Sequence, residues 1–320
     1  MSLNNYIFSA LSFFFTYFFI QQFLPFFRKN LSDKPNARSS HIISTPRGIG
    51  IIFSLLSTFF CILQGFYQII YILPLIFIGF ADDLIHIKAK YKYFVQLIVG
   101  ILLTLSSPIK DYFIKDIVSL SGIFSILILI FFFTAIINFI NFMDGMDGLI
   151  SGCFIFIILG SIYIFEIPLY SVIFSITAFL FFNWSPAKAF MGDSGSLFLG
   201  GLYALILFQS KDLKELLSLI LLSSPLLMDS IICIFRRFIN KENIFTAHKK
   251  HLYQRLNQAG WDHSKVSLLY ISLVILEFLS LRLFSLKIEI ITTLFIIFLG
   301  IYLEKFCAKK FKSDNKLKLH

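Results

Sequence analysis

Charge is scarce in this chain. Only 14% of its 320 residues are Asp, Glu, Lys or Arg, while 58% are hydrophobic. A soluble domain carries about a quarter charged residues, so that class is excluded. Acids are the scarcer sign, with 18 Asp and Glu against 28 Lys and Arg. The four cysteines (Cys61, Cys153, Cys233, Cys307) are isolated and form no CxxC pair, so neither a disulfide framework nor a zinc site is indicated. No internal repeat and no linker divides the chain. No Lys or Arg precedes the first apolar run, so it lacks the charged start of a secretory signal peptide and reads as a retained helix.

Long apolar runs fill the rest. A helix needs about 20 apolar residues to cross the hydrocarbon core, somewhat fewer when buried. Candidate segments lie at 6–27, 49–65, 67–81, 93–107, 119–141, 149–165, 168–184, 196–209, 215–235, 266–284 and 286–304. They are continuous, not alternating, which excludes a β-barrel. The fold class expected is therefore an all-α polytopic integral membrane protein with eleven transmembrane helices. Threaded with the N-terminus outside and the C-terminus cytoplasmic, 22 of the 28 basic residues fall inside. The net charge of +10 thus belongs to one face, where it serves topology and attraction to anionic lipid; nucleic acid is not required as a partner. The whole chain, 1–320, reads as one membrane domain with cytoplasmic loops at 28–48, 82–92, 141–148, 184–196 and 236–265. Phe is abundant, with 42 copies, and reads as lipid-facing bulk.

The scarce acids cluster on the same predicted face. Ionisable groups at membrane depth are costly and usually functional. Asp82 and Asp83 end the third segment. Helical neighbours point about 100° apart, so the two cannot do one job: one can face a metal or substrate while the other is held by neighbours. The plain alternative is a wetted helix end. Lys88, Lys90 and Lys92 follow and could steer an anionic substrate, or simply flank a span. Asn138, Asn141, Asp144 and Asp147 recur every third residue, which groups them on a helix and suits a polar ring such as a nucleobase. Asp193 lies between Gly192 and Gly195 just before a new span, with Ser194 and Ser196 as candidate caps. A helix start favours phosphate, and a carboxylate there is placed to hold Mg²⁺, which takes one or two carboxylates plus substrate phosphates. Phe190 is a candidate stacking face and Asn183 a hydrogen-bonding partner. His248, His251 and Arg255 are expected on one face of a short helix capped by Thr246 and stopped by Gly260, contacting phosphate rather than metal. Asp229 and Arg236, seven apart, share a helix face and read as a structural ion pair.

At this point the chain resembles the bacterial membrane transferases that move a sugar-1-phosphate from a UDP-sugar onto polyprenyl phosphate, glycosyltransferase family 4, which includes phospho-MurNAc-pentapeptide translocase. The stretches that carry the resemblance are DKPNARSSH (33–41), TPRGIG (45–50), GFADD (79–83), NFMDGMDGL (141–149), FNWSPAKAFMGDSGSLFLG (182–200) and FRRFINKENIFTAHKKHLYQRL (235–256). The last looks most like the O-antigen-initiating branch. The resemblance implies Asp82 and Asp83 as the catalytic pair, Asp193 as principal magnesium ligand with Asp83 as a second, and Asn141, Asp144 and Asp147 along the uridine and phosphate pocket. It also implies Asn183 and Phe190 at the uracil, and His248 and His251 in a basic histidine loop. Lys90, Lys92 and Arg255 join the binding residues. The implied cofactor is Mg²⁺, with Mn²⁺ as an alternative. The implied partners are a UDP-HexNAc donor, a polyprenyl phosphate acceptor and the bilayer, with a homodimer left open. The site would face the cytoplasm from the bacterial inner membrane. HKKH in place of an HRSH-like form, and TPRGIG without paired glycines, bear on sugar preference. A polytopic transporter is the rival class; its sites usually lie near the midplane between repeats, which this sequence does not show.

Overall fold

A computed structural model describes residues 3–33, 44–114, 119–244, 246 and 248–311. The stretch 34–43, most of the DKPNARSSH motif, and the basic tail beyond 311 lie outside the described residues. The apolar segments read from the sequence fall on helices, with ends shifted by a few residues, except that 215–235 divides between two. The helices are α1 (Leu3–Asn30), α2 (Gly50–Leu63), α3 (Leu73–Ile85, entered through a 3₁₀ turn at Tyr67–Ile72), α4 (Ala89–Ser106), α5 (Ile109–Phe113), α6 (Leu120–Met143) and α7 (Leu149–Phe165). They continue as α8 (Tyr170–Asn183), α9 (Gly192–Phe208), α10 (Leu213–Leu222), α11 (Ser224–Ile239), α12 (Leu252–Gln258), α13 (His263–Leu283) and α14 (Leu286–Phe306). The strands described are two residues each, Ser32–Asp33 and Thr45–Pro46, paired antiparallel.

Five of these helical stretches are long and apolar enough to cross a membrane: Leu3–Asn30, Tyr67–Ile85, Leu120–Met143, His263–Leu283 and Leu286–Phe306. The segment expected as one straight span at 215–235 is instead broken: α10 and α11 meet at 79°. The break falls at Ser223–Ser224–Pro225, where Pro225 opens the new helix, a position at which its missing N–H costs nothing.

Helix faces divide as a bilayer requires. On α1, Ser9, Ser12 and Thr16 are buried, while Phe14 and Phe18 are exposed. The Ser12 hydroxyl reaches the Ser171 carbonyl at 2.8 Å and Thr16 donates to Ser175 Oγ at 3.1 Å, so small polar residues join α1 to α8. Phenylalanine is not only lipid-facing bulk, since Phe53, Phe133, Phe154, Phe179, Phe198 and Phe208 are fully buried in the core.

The contact that positions the site is between α3 and α9. A Cβ on Gly79 would lie 2.4 Å from the Asp193 carbonyl oxygen, so the two helices touch backbone to backbone. This brings the end of α3, with Asp82 and Asp83, against the start of α9, with Asp193. Gly79→Ala is expected to force the helices apart and to lower both the thermal midpoint and any activity of the site. A normal melting temperature in detergent would contradict that packing.

Candidate active site

Asp82 and Asp83 have different environments. α3 ends at His86, which adopts a left-handed conformation and donates its N–H to the Asp82 carbonyl. The Arg47 guanidinium donates to the Asp83 carbonyl at 2.9 Å and covers the same helix end. Asp83 is 4% exposed, and its two oxygens accept the backbone N–H groups of Asp193 (3.0 Å) and Ser194 (3.1 Å). It therefore caps α9. The caps expected from Ser194 and Ser196 are not formed: Ser194 donates to the Met191 carbonyl and Ser196 to Asn141 Oδ1. Gly192, at φ +67°, lies so close that a Cβ there would sit 2.5 Å from both Asp83 oxygens.

Asp82 faces the other way. Its Oδ2 and the Oδ2 of Asp193 share the Lys92 ammonium, at 3.1 and 2.8 Å. Lys92 in turn lines a cavity of about 360 Å³. The wall opposite α4 comes from Asn138, Asn141, Phe142 and Asp144 at the end of α6, and from His248, His251, Tyr253 and Gln254. Amides and aromatic rings thus face one pocket of a size suited to a small ligand.

Asp144 stands on this wall just past the end of α6. Its carboxylate makes no hydrogen bond or ion pair with the described residues. Burial, then the negative charges of Asp193 and Asp83, push its carboxyl up to about 8. One ammonium among Asp82, Asp144 and Asp193 leaves negative charge in excess. Oxygen donors, excess charge and an unpartnered carboxylate fit a hard divalent cation such as Mg²⁺. Because the folded chain holds this proton to higher pH than the ordinary 3.8, its metal-free stability is expected to fall as pH rises from about 4 to about 8. Asp144→Asn should remove that decline; thermal melts in EDTA at pH 5 and pH 8 test it.

Other residues expected at the site are placed elsewhere. Asp147 does not line the cavity: it pairs with His263 at 3.2 Å and accepts the Ala187 N–H at 3.1 Å, because α6 has ended at Met143 and the threefold spacing no longer keeps it on one face. Asn183 is spent on structure, accepting from Gly148 N and Ser151 Oγ and donating to the Ala189 carbonyl. Phe190 lies beside the 46–49 stretch, with its N–H on the Pro46 carbonyl, and is not part of the cavity wall. Lys90 is exposed, over the Tyr91 ring.

The helix carrying the histidines starts later than expected. It is α12, with His251 as N-cap instead of Thr246, so His248 lies before it. Arg255 does not line the cavity: it binds the Lys250 and Lys309 carbonyls and Glu304. Asp229 does not pair with Arg236, which binds Glu304. Instead Asp229 accepts the N–H groups of Leu252 (2.7 Å) and Tyr253 (3.1 Å) and the Tyr270 hydroxyl (2.7 Å). It anchors α12 to α11 and α13.

Sequence reasoning missed Arg237. Fully buried, it binds Glu242 and the Asn243 and Ile244 carbonyls, and so shapes the loop that leads to His248. The run of Arg236 and Arg237 at a helix end was visible, but its sign alone reads as a basic flank.

The chain matches the family model described as glycosyl transferase family 4 over residues 66–211. It is similar to a phospho-N-acetylmuramoyl-pentapeptide-transferase of Dictyoglomus turgidum, 30% identical over 290 residues that cover 82% of this chain and 93% of the relative. It is also similar to an undecaprenyl-phosphate alpha-N-acetylglucosaminyl 1-phosphate transferase of Thermotoga maritima, 28% identical over 241 residues, 74% of this chain and 77% of that one. The Escherichia coli K12 protein of the same name is 26% identical over 277 residues, 77% of this chain and 75% of its own.

Proposed function

We infer, for a chain that belongs to glycosyl transferase family 4, that it transfers a HexNAc-1-phosphate from a UDP-sugar to undecaprenyl phosphate and releases UMP. The observation that carries this reading is the convergence of Asp82, Asp193 and Lys92 beside a cavity walled by amides, rings and histidines. The names of the relatives supply the acceptor and the group moved.

The chemistry needs two phosphates brought together. An oxygen of the lipid phosphate attacks the β-phosphorus of the UDP-sugar. The bond from that phosphorus to the α–β bridging oxygen breaks, and UMP leaves with that oxygen. Asp82 sits near the end of α3, and we assign it to position the attacking lipid phosphate or take its proton. Lys92 can give up one of its two carboxylates and turn its charge toward the pyrophosphate. Asn138, Asn141 and Gln254 offer amides to the base, and Phe142 and Tyr253 offer rings. Asp193, Asp144 and Asp82 would hold Mg²⁺, or Mn²⁺ in its place. When bound, the ion neutralises the pyrophosphate and the departing UMP. Asp83 acts by holding the start of α9.

We read the chain as eleven spans with the N-terminus outside. The site then faces the cytoplasm of a bacterial inner membrane, where a soluble nucleotide sugar meets a lipid phosphate. The 235–256 stretch favours initiation of an O-antigen-like glycan. The Dictyoglomus relative supports the second reading, a MurNAc-pentapeptide donor. Incubating purified protein with undecaprenyl phosphate, Mg²⁺ and a panel of UDP-HexNAc and UDP-MurNAc-pentapeptide donors tests both. UMP from a HexNAc donor supports the first; UMP from the pentapeptide donor alone supports the second.

A further inference from the structure

Behind the histidine loop the fold brings a cysteine to both histidines. Cys233 lies in α11, and one donor atom each from Cys233, His248 and His251 lies within 4.8 Å of the other two. Cys233 and His251 are buried, at 3% and 2% exposure. His248 is half-buried and lines the open cavity. The two imidazoles stack with centroids 5.0 Å apart. None of this follows from spacing, since Cys233 precedes the first histidine by fifteen residues.

We propose that Cys233, His248 and His251 form a binding site for a thiophilic divalent cation of the zinc type, distinct from the carboxylate site, and that its occupancy shuts the cavity down. One thiolate and two imidazoles form a zinc donor set that leaves a fourth position open. Zinc–sulfur and zinc–nitrogen distances of about 2.3 and 2.0 Å put tetrahedral ligand atoms roughly 3.5 Å apart, so side-chain rotation of about 1 Å closes the set. A hard ion gains little from sulfur and imidazole, so the site discriminates against Mg²⁺.

One ligand has a carboxylate beside it. His251 Nδ1 is buried without a hydrogen bond among the described residues and lies 3.5 Å from Asp229 Oδ1, close to the carboxylate–histidine pairing that accompanies metal-bound imidazole. Asp229 is itself fixed by the Leu252 and Tyr253 amides and the Tyr270 hydroxyl. The nearby cations are only partly neutralised, since Arg237 and Lys250 share Glu242, and Arg236 and Arg255 share Glu304. Among the contacts of His248 is the Lys250 N–H on its Nδ1, at 3.2 Å. The cavity gives the ion its entry path.

The inhibitory half of this proposal rests on the transferase reading; the binding half does not. CoCl₂ titrated into the full-length protein with Mg²⁺ present is the binding test. The wild type should show one equivalent of cobalt with a thiolate charge-transfer band, which Cys233→Ser should lose and Cys153→Ser should keep. ZnCl₂ alone should then inhibit UMP release by the wild type, and Cys233→Ser should be active but roughly tenfold or more less sensitive. A wild type without the charge-transfer band, or a Cys233→Ser protein that keeps it, overturns the site. A band that behaves as expected in a protein that releases no UMP leaves the site standing and overturns the transferase reading instead. Equal zinc inhibition of both proteins overturns the inhibitory role.

Discussion

Asp193→Asn should lower UMP release by about 10³-fold with little change in thermal stability, the scale seen when one preorganised electrostatic group is removed. Asp193 carries the carboxylate nearest the Lys92 ammonium, at 2.8 Å, and lies at the start of α9. Asparagine keeps the size but loses the charge. It weakens the hold on a divalent ion and leaves Lys92 bound to Asp82 alone, where it is drawn away from the substrate. The helix start is untouched, because it is the backbone N–H of residue 193 that Asp83 holds. Rates measured across a Mg²⁺ titration, beside a melting curve, check this. Full activity in the variant would remove Asp193 from the chemistry.

Asp83→Ala and Asp82→Ala should fail in different ways. Without Asp83 the N–H groups of Asp193 and Ser194 are left in a buried place with no acceptor. Loss of such a cap costs about 1–2 kcal/mol, enough to lower the melting temperature by several degrees, and lets Asp193 drift from Lys92. Activity and stability should fall together. Among the described residues the Asp82 carboxylate bonds to the shared Lys92, so its loss should cost activity and leave the melt near wild type. Asp83→Asn should behave like the alanine variant, since an amide offers one acceptor where two N–H groups need two. Equal melts for the two alanine variants would contradict the division of roles.

The membrane helices were legible because a bilayer demands long apolar runs and little else of a span. The break between α10 and α11 was also written in the sequence, at Ser223–Ser224–Pro225, but a hydropathy window averages across three residues. The carboxylates that the fold gathers beside the cavity stood out in the sequence because acids are so few. That Asp82 and Asp83 differ in environment followed from helix geometry, but which of them is held was not legible, because it depends on Gly79 letting α3 touch α9. The threefold spacing groups Asn138, Asn141 and Asp144 on one wall of the cavity but does not extend to Asp147, one turn past the helix end. Arg255 and Asp229 were misplaced for the same reason: their partners, Glu304 and the start of α12, come from distant parts of the chain. A second acidic cluster went unseen as well. Glu277 and Glu289 are both buried, with Glu277 held by Thr293 and Ser224 at the other end of α13 from His263.

The proposal as a whole stands or falls on which phosphorus moves. UDP-GlcNAc labelled in its β-phosphate, incubated with the purified protein, Mg²⁺ and undecaprenyl phosphate, should pass the label to the lipid, with one UMP released per labelled lipid. Label appearing as UDP or free phosphate, or no labelled lipid with any HexNAc donor, would contradict it.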